Sequence, residues 1–298
     1  MKVPVSNKLA SLKGLLYLLP SMLIFIVFMI WPLLYTVYLS FFKWNMVSPT
    51  KEFVGLANYI TIFQDKNSYK IMLNTLLYIV FLVIFCCVVP YVLSFVMDQI
   101  IKKYQTFYKT MLFVPAVISL VVASILFTWI LNPVSGPLAI ILGKVGITMP
   151  FWTKLDGWVI FVISLITSWK VFGYNFIVLY AAVAGVSREL IEAARLDNLS
   201  NTTIFFKIVL PMSSSTGIYI FIITIVQGLQ YVFTPIKVIT QGGPNQGSSN
   251  LIYSSYQQAF EMYNTGMSSA LSVLTMVIFA VLLVLEFKFV EKGVYYEN

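Results

Sequence analysis

Two groups of polar and aromatic side chains interrupt stretches that are otherwise apolar. The members are Trp169, Lys170, Tyr174 and Asn175 in one stretch, and Gln227, Gln230 and Tyr231 in another. Amide, ammonium and phenol groups hydrogen-bond to the hydroxyls of a polar solute, and aromatic rings stack on the faces of sugar rings. The sequence therefore predicts non-covalent binding of a polar solute. Polar residues that face a neighbouring helix for structural reasons are the alternative.

Lys170 is the charged member of these groups and lies near the middle of its apolar stretch. A charge at the centre of a bilayer costs about 2.5–3.5 kcal/mol on insertion scales, so its ammonium group is expected to face a cavity or a partner. One interpretation is that it donates hydrogen bonds to solute hydroxyls or to an acidic group of the solute. The alternatives are a structural pair with a companion subunit, or an ammonium group that reaches the membrane interface.

Residues suited to catalysis are missing from this sequence. The chain has no histidine, which excludes His-based catalysis and His-ligated metal sites. Cys86 and Cys87 are adjacent within an apolar run and are interpreted as small buried residues. The apolar stretches contain almost no carboxylates, and no phosphate-binding Gly-x-x-x-x-Gly-Lys-Ser/Thr loop is present. We therefore predict no catalytic residue, no metal site and no ATP hydrolysis by this chain alone.

A polar segment at residues 187–211 carries charges of both signs between long apolar runs. Ser187 is expected to cap a helix over Arg188–Asp197, and Asn198 is expected to end it in a left-handed conformation. A second helix is predicted from Ser200 or its neighbour, ending before Pro211. Two short helices joined by a tight turn would form a compact knob suited to docking, and an ordinary connecting loop is the alternative.

Composition places these residues in a membrane protein. The apolar fraction is 59%, the charged fraction 10% and the mean hydropathy +0.89, whereas soluble domains carry about 25% charged residues. A spanning helix needs about 20 mostly apolar residues. Six stretches qualify, at about 15–42, 71–97, 110–131, 157–184, 214–239 and 267–290. These runs do not alternate as barrel strands would, so we predict an all-α fold of six spans in a single domain, residues 1–298.

Prolines and turn formers predict where these elements depart from regular helix. Pro20, Pro32, Pro90 and Pro115 lie within spans, and each is expected to kink its helix. Residues 136–146 have an apolar core too short to span and are expected to form an interfacial or re-entrant helix. Residues 240–250 are rich in turn formers and are expected to be irregular.

The distribution of Lys and Arg between the loops predicts the orientation. Eleven of these residues fall at the ends that include both termini and the polar segment, seven fall at the opposite ends, and Lys170 is inside a span. Both termini and residues 187–211 are therefore predicted to be cytoplasmic, with outer loops at about 43–70, 132–156 and 240–266. The first span is expected to be retained, because it exceeds the roughly 7–15 apolar residues of a signal peptide. The basic residues are scattered singly, so the net charge of +8 does not predict nucleic-acid binding.

The polar segment resembles the EAA motif of binding-protein-dependent ABC importer permeases. The matching residues are Glu192-Ala193-Ala194, Asn198, Ile208 and Leu210-Pro211, at the spacing of that motif. The one departure is Asn198, where the family usually has glycine. Asn tolerates the same left-handed backbone, so the turn is expected to survive.

Further fragments extend the resemblance over most of the chain. They are Phe53–Tyr59 (FVGLANY), Asn74-Thr75, Gly136–Leu138 (GPL), Gln241–Pro244 (QGGP) and Tyr256–Phe260 (YQQAF). Their order is similar to that in the sugar-importer branch, which includes the maltose and glycerol-phosphate permeases. The resemblance implies the six-helix fold of a type I ABC importer permease in the cell membrane.

That resemblance also implies a set of partners and roles. The implied partners are a second homologous permease, two cytoplasmic ABC ATPase subunits, an extracytoplasmic solute-binding protein and membrane lipid. ATP-Mg would bind only to the ATPase subunits, and this chain would bind no cofactor. The residues implied in ATPase coupling are Glu192, Ala193, Ala194, Asp197, Asn198, Ile208 and Pro211. The chain would then move a carbohydrate, an oligosaccharide or related polyol that is neutral or acidic, into the cytoplasm by alternating access.

Two other classes of membrane protein fit the sequence less well. An ion-coupled secondary transporter or channel usually has buried acidic residues or inverted repeats, and neither is clear in the sequence. A polytopic membrane enzyme needs an activated nucleophile or an acidic cluster at membrane depth, and the sequence offers neither.

Overall fold

A computed structural model describes residues 8–101 and 103–290, and this part of the chain is almost entirely helical. The helices are α1 (Lys8–Phe25), α2 (Trp31–Leu39), α3 (Ala57–Gln64), α4 (Lys66–Val83), α5 (Val89–Gln99), α6 (Gln105–Phe113), α7 (Leu120–Ile130), α8 (Pro137–Lys144), α9 (Trp158–Ala184), α10 (Arg188–Leu196), α11 (Asn201–Ile204), α12 (Leu210–Met212), α13 (Ser214–Pro235), α14 (Leu251–Phe260) and α15 (Thr265–Val290). Two-residue strands, β1 (Phe42–Lys43) and β2 (Glu52–Phe53), form the one small departure from the all-α expectation within the described residues.

Five helical stretches are long and apolar enough to cross a membrane. They are Tyr17–Leu39, Lys66–Gln99, Trp158–Ala184, Ser214–Thr240 and Thr265–Val284. A sixth span results if the bent pair Gln105–Val117 and Leu120–Ile130 is counted as one. The predicted count of six agrees with this reading. The predicted cytoplasmic placement of the termini concerns residues 1–7 and 291–298, which lie outside the described range.

The third predicted span is broken rather than gently kinked. Pro115 lies in a 3₁₀ turn over Val114–Val117, and the next residues, Ile118 and Ser119, are extended with ψ of 138° and 135°. The two helical segments consequently meet at an angle of 101°. Extended residues end the helical hydrogen-bond series, so carbonyls near the break need other donors.

Wide π-helical turns accommodate two of the other prolines that were predicted to kink their helices. Residues Ile26–Ile30 precede Pro32, and Ile84–Val88 precede Pro90. A proline has no N–H and its ring collides with the carbonyl four residues earlier, and a turn bonded over five residues opens the backbone at that point. Pro20 lies inside α1, which continues past it.

The described chain divides into two compact units. Unit 1 combines the chain up to Ile62 with Ser255–Leu274. Within it, the Asn58 amide in α3 donates to the carbonyls of Ser40 and Phe42, at 2.8 and 3.0 Å. This buried amide ties α3 to the segment that leaves α2. The organisation of residues 1–298 as a single domain stays a prediction.

Unit 2 comprises Phe63–Ser254 and the chain from Thr275 onward. Helix α9 is central to it and packs against α4, α5 and α13. Its largest fully buried side chains include Tyr78, Phe176, Leu179 and Leu229. The short helix α8 falls within the segment that was expected to be interfacial or re-entrant, and its residues are exposed or half-buried.

The segment at residues 240–250 is irregular, as predicted, but its last part is buried. Ser248, Ser249 and Asn250 are 0% exposed. An irregular backbone cannot satisfy its own carbonyls, so side chains of α4 supply the donors. The Asn74 amide donates to the carbonyls of Gln246 and Ser249, at 2.8 and 3.1 Å. The Tyr78 hydroxyl donates to the Ser248 carbonyl at 2.8 Å.

Replacing Asn74 by leucine is expected to destabilise unit 2 by about 2–3 kcal/mol, because the buried Ser249 carbonyl and the half-buried Gln246 carbonyl lose their donor. Thermal unfolding in detergent and protease cleavage within residues 240–250 would measure this. Asn67→Leu, at an exposed position of the same helix, is the matched control and should change little. Equal stability of the two variants would contradict the assigned role of Asn74.

Candidate functional site

The polar segment, residues 187–211, folds as a helix, a tight turn and a second helix. Helix α10 ends in a Schellman motif, in which the N–H of Leu199 donates to the Ala194 carbonyl and the N–H of Asn198 donates to the Arg195 carbonyl, both at 3.0 Å. Asn198 has a φ of 57°, which confirms the predicted left-handed stop. We call residues 187–211 the coupling segment from here on.

The start of α10 differs from the expectation. The Ser187 side chain makes no capping hydrogen bond, so its predicted capping role is wrong. Ser187 is exposed, and water can supply the acceptors that the first N–H groups of a helix need. Glu189 lies in the first turn, where its negative charge interacts favourably with the positive end of the helix dipole. Glu192 forms no salt bridge with any described residue, Arg188 included.

The second helix begins as predicted and ends later than predicted. The Ser200 hydroxyl accepts a hydrogen bond from the N–H of Thr203 at 3.2 Å and caps α11. A π-helical turn over Phe205–Val209 then leads directly into α12, which contains Pro211. The predicted end before Pro211 is therefore wrong. The wide turn relieves the clash of the proline ring, as it does in two of the spans.

One face of the coupling segment is anchored to unit 2. A single buried cluster contains Ile191, Ala194, Ile204, Phe205 and Val209 of the segment together with Tyr91, Phe95, Leu179 and Val183 of α5 and α9. A further tie is the Arg195 guanidinium, which donates to the Gln99 side-chain oxygen at 2.8 Å. Movement of the segment would therefore be transmitted to α5 and α9.

The opposite face is open and combines charge with apolar side chains. Glu192, Ala193, Asp197 and Asn198 are exposed, whereas Ile208 and Pro211 are half-buried. Leu196 is 83% exposed and Phe206 is 59% exposed. Ala194 differs from its neighbour Ala193, because it is only 5% exposed and belongs to the inner cluster. Its side chain packs the segment against unit 2.

Lys170 has a partner that the sequence reading did not anticipate. Its ammonium group donates to the Ala116 carbonyl at 2.8 Å. That carbonyl lies at the break between α6 and α7, where the extended residues Ile118 and Ser119 interrupt the helical bonding. An ammonium group has three donors, so two remain for another acceptor.

Gly173, less than one turn beyond Lys170, brings the backbone of α9 against the end of α6. A Cβ placed on Gly173 would lie 2.3 Å from the Leu112 carbonyl oxygen and 2.7 Å from the Phe113 Cα. Lys170 and Gly173 thus hold the α6–α7 break against α9 together. The sequence signal for this contact is a glycine three residues after a lysine within an apolar stretch.

Asn175 is a structural bridge rather than an open polar group. It is 0% exposed, and its amide donates to the Cys86 carbonyl at 2.6 Å and to the Thr224 hydroxyl at 3.0 Å. The residue four positions after Cys86 is Pro90, which has no N–H to donate to that carbonyl. Thr224 was missed by sequence reasoning. A proline inside a span signals an unpaired carbonyl four residues earlier, and this signal would have suggested the contact.

The remaining candidates are accessible to different degrees. Tyr174 is 48% exposed. Gln227 and Gln230 are exposed, and Tyr231 is 39% exposed. We call Tyr174, Gln227, Gln230 and Tyr231 the polar face. Trp169 is half-buried and packs edge-on against Phe127, with ring centroids 5.2 Å apart.

Residues 102–292 match a protein family described as binding-protein-dependent transport system inner membrane component. The sn-glycerol-3-phosphate transport system permease protein UgpA of Brucella abortus is 32% identical over 281 residues, which cover 94% of this chain and 94% of the relative. The Probable ABC transporter permease protein YurN of Bacillus subtilis is 31% identical over 281 residues, 93% of this chain and 96% of the relative.

The fold is also similar to that of solved structures. A chain in the crystal structure of a bacterial ABC transporter involved in the import of the acidic polysaccharide alginate superposes with a TM-score of 0.80 and 20% identity. The similarity covers 96% of this chain and 98% of that chain. This likeness confirms the six-helix permease fold class. Taken with the family match and both relatives, it shows that the chain belongs to the binding-protein-dependent transport system inner membrane components, and is a multi-pass permease subunit of an ABC importer rather than an enzyme in its own right.

Proposed function

We propose that this permease subunit moves a carbohydrate or related polyol into the cytoplasm, and that the solute contacts the polar face. The observation that best supports this proposal is a group of exposed amide and phenol side chains on α9 and α13. These side chains lie within stretches that are otherwise apolar enough to span a membrane. Side chains of this kind exchange hydrogen bonds with hydroxyl groups and pack on sugar rings. Trp169 and Lys170 lie on the same stretch of α9.

An acidic group on the solute fits this proposal. The UgpA relative is named for sn-glycerol-3-phosphate, and the similar solved importer acts on an acidic polysaccharide. Lys170 keeps two ammonium donors beyond its bond to Ala116. Asn175 has a weaker claim to solute contact, because it is fully buried and both of its amide hydrogens are engaged.

The energy for uptake would come from partner subunits. In this proposal, ATP-Mg binds to two cytoplasmic ATPase subunits, and a second homologous permease and an extracytoplasmic binding protein complete the importer. Another solved structure of the alginate transporter, similar in fold with a TM-score of 0.77, contains a periplasmic protein bound to an alginate pentasaccharide. The exposed face of the coupling segment, with Glu192, Ala193 and Leu196, would dock into a basic and apolar cleft of one ATPase subunit.

The anchoring of the coupling segment supports alternating access as the proposed mechanism. Its inner face packs on α5 and α9, and α9 also carries Tyr174 of the polar face. Closure of the ATPase dimer would move the segment, and the contacts of α9 would pass this movement to the solute path. Two packings of the same helices, favoured by different nucleotide states, suffice for transport.

Replacing Gln230 by alanine is expected to raise the solute concentration at half-maximal uptake about fivefold to tenfold, because one hydrogen bond to the solute is lost. Uptake into proteoliposomes that contain the complete importer and its binding protein would measure this. Gln64→Ala, at an exposed position outside the spans, is the matched control. If the Gln230 variant has an unchanged solute concentration at half-maximal uptake and an unchanged solute selectivity, α13 does not contact the solute through Gln230.

A further inference from the structure

Unit 1 contains a cavity, and none of the residues that line it belongs to the polar face. It has a volume of ≈ 540 Å³ and lies between the turn after α2 and the turn before α15. Pockets for small molecules usually measure about 300–1,000 Å³, so this cavity has the right size for a short saccharide. Its walls include two lysines, Lys43 and Lys51, and a single acidic residue, Glu52. We call it the outer cavity, because the predicted topology places both turns outside the membrane.

One wall of the outer cavity is held in place by aromatic contacts. The Lys51 ammonium group donates to the Tyr35 hydroxyl at 2.6 Å and lies 4.4 Å from the centroid of the Trp44 ring. The Trp44 indole N–H donates to the Ser48 carbonyl at 2.9 Å. Cation–π contacts of this kind fix a charge in position while leaving it positive. The wall is therefore ordered before any ligand arrives.

The other walls present hydrogen-bond donors with no partner in the described part of the chain. Asn45 uses its side-chain oxygen to accept from the N–H groups of Val47 and Ser48, at 3.1 and 2.8 Å, which leaves its NH₂ group open. Asn264 likewise accepts from the N–H of Met267 at 3.3 Å. The Lys43 side chain makes no hydrogen bond or salt bridge with any described residue, although Lys43 pairs with Glu52 across the two strands.

Backbone strain is present in both turns that form the outer cavity. Met46 has a φ of 65° and Tyr263 a φ of 52°, values that residues other than glycine and asparagine rarely adopt. Such conformations cost about 1–3 kcal/mol each and cluster at ligand clamps. The Tyr263 ring is 64% exposed, which leaves one of its faces available for stacking.

We propose that the outer cavity binds a carboxylated saccharide. Two lysines and one glutamate give the cavity a net positive charge, and its unpaired polar groups are hydrogen-bond donors. The favoured ligand is therefore an anion with many hydrogen-bond acceptors. Lys43 contacts the carboxylate, the Asn45 and Asn264 amides contact hydroxyls, and the Tyr263 ring packs on the sugar face. This inference rests on the proposed carbohydrate function. It adds a second solute site, outside the membrane, to the polar face.

The test measures saccharide binding by the intact importer in nanodiscs, without its binding protein, by titration calorimetry. The probes are a galacturonic acid trimer and the neutral maltotriose. The wild-type complex is expected to bind the acidic trimer more tightly, and Lys43→Gln should weaken that binding about tenfold through loss of a charge-assisted hydrogen bond. Lys66→Gln, which removes an equivalent exposed charge at the start of α4, is the control and should bind as the wild type does.

Three outcomes would overturn this proposal. The first is the absence of saturable binding of the acidic trimer to the wild-type complex. The second is equal affinity in the Lys43 and Lys66 variants. The third is loss of stimulation of ATP hydrolysis by the binding protein in Lys43→Gln with unchanged trimer binding, which would assign the surface to a protein partner.

A further variant separates this proposal from the proposed function. Gln230→Ala should leave trimer binding at the outer cavity intact while it impairs uptake. If Gln230→Ala abolishes trimer binding and Lys43→Gln does not, the solute binds only at the polar face. The carbohydrate function then stands and the outer cavity is excluded.

Discussion

Replacing Glu192 by lysine is expected to abolish solute uptake without loss of the folded permease. Glu192 is exposed on α10 and pairs with no described residue, so its removal costs the chain itself little. Lysine and glutamate have similar helix propensities, so α10 should persist. If the coupling segment docks into a basic cleft, the new positive charge meets like charge in a desolvated contact. A penalty of about 3 kcal/mol or more follows, which is a loss of more than about 100-fold in docking affinity.

Co-purification of the ATPase subunits and uptake into proteoliposomes would measure this effect. Glu261→Lys, which makes the same charge change at an exposed position of unit 1, should retain assembly and uptake. The membrane-inserted amount of both variants is compared by quantitative blotting. Normal uptake by the Glu192 variant, at normal abundance, would be incompatible with docking through this face of α10.

Replacing Gly173 by alanine is expected to lower the stability of the protein, although the change is conservative. Alanine in a helix normally gains about 1 kcal/mol over glycine. Here its Cβ would lie 2.3 Å from the Leu112 carbonyl oxygen, a backbone atom that cannot rotate away. The clash is relieved only if α9 separates from the end of α6. This separation would also lengthen the hydrogen bond from the Lys170 ammonium group to the Ala116 carbonyl. Overpacking of a core typically costs about 1–3 kcal/mol, and a clash with a backbone atom is expected to lie at the upper end of that range.

Thermal unfolding of the purified complex in detergent would measure the loss of stability. Gly143→Ala is the matched control, because a Cβ on Gly143 in α8 meets no atom within 4 Å. That control should be neutral or slightly stabilising, whereas the Gly173 variant should unfold at a clearly lower temperature. Equal unfolding temperatures for the two variants would show that α6 does not approach α9 this closely.

Local signals predicted part of the coupling segment, although the cap at Ser187 and the end before Pro211 are wrong. The left-handed stop at Asn198 and the start of the second helix near Ser200 or Asn201 depend only on neighbouring residues, and both are present. The apolar runs predicted the spans for the same reason, since each must satisfy its backbone within itself. The break at Pro115 was harder to predict, because a proline within a helix permits a range of outcomes from a mild kink to a sharp bend.

The side-chain partners were not predictable, because they depend on which helices meet. Lys170 finds the Ala116 carbonyl only because α6 ends against α9. Ala193 and Ala194 are identical in type, yet one is exposed and the other is buried in the cluster with α5 and α9. The periodicity of one sequence shows which face of a helix is apolar, but it does not show which other helix packs against that face. The members of the polar face are accessible, and their role in solute binding stays a prediction.

The contact between Asn175 and the Cys86 carbonyl makes the residue allowed at position 175 depend on the residue at position 90. Pro90 has no N–H to donate to that carbonyl, so the Asn175 amide supplies the donor. An apolar residue in place of Asn175 alone would leave the carbonyl without a donor inside the membrane. Among homologues, an apolar residue at position 175 is therefore expected where position 90 has a residue other than proline.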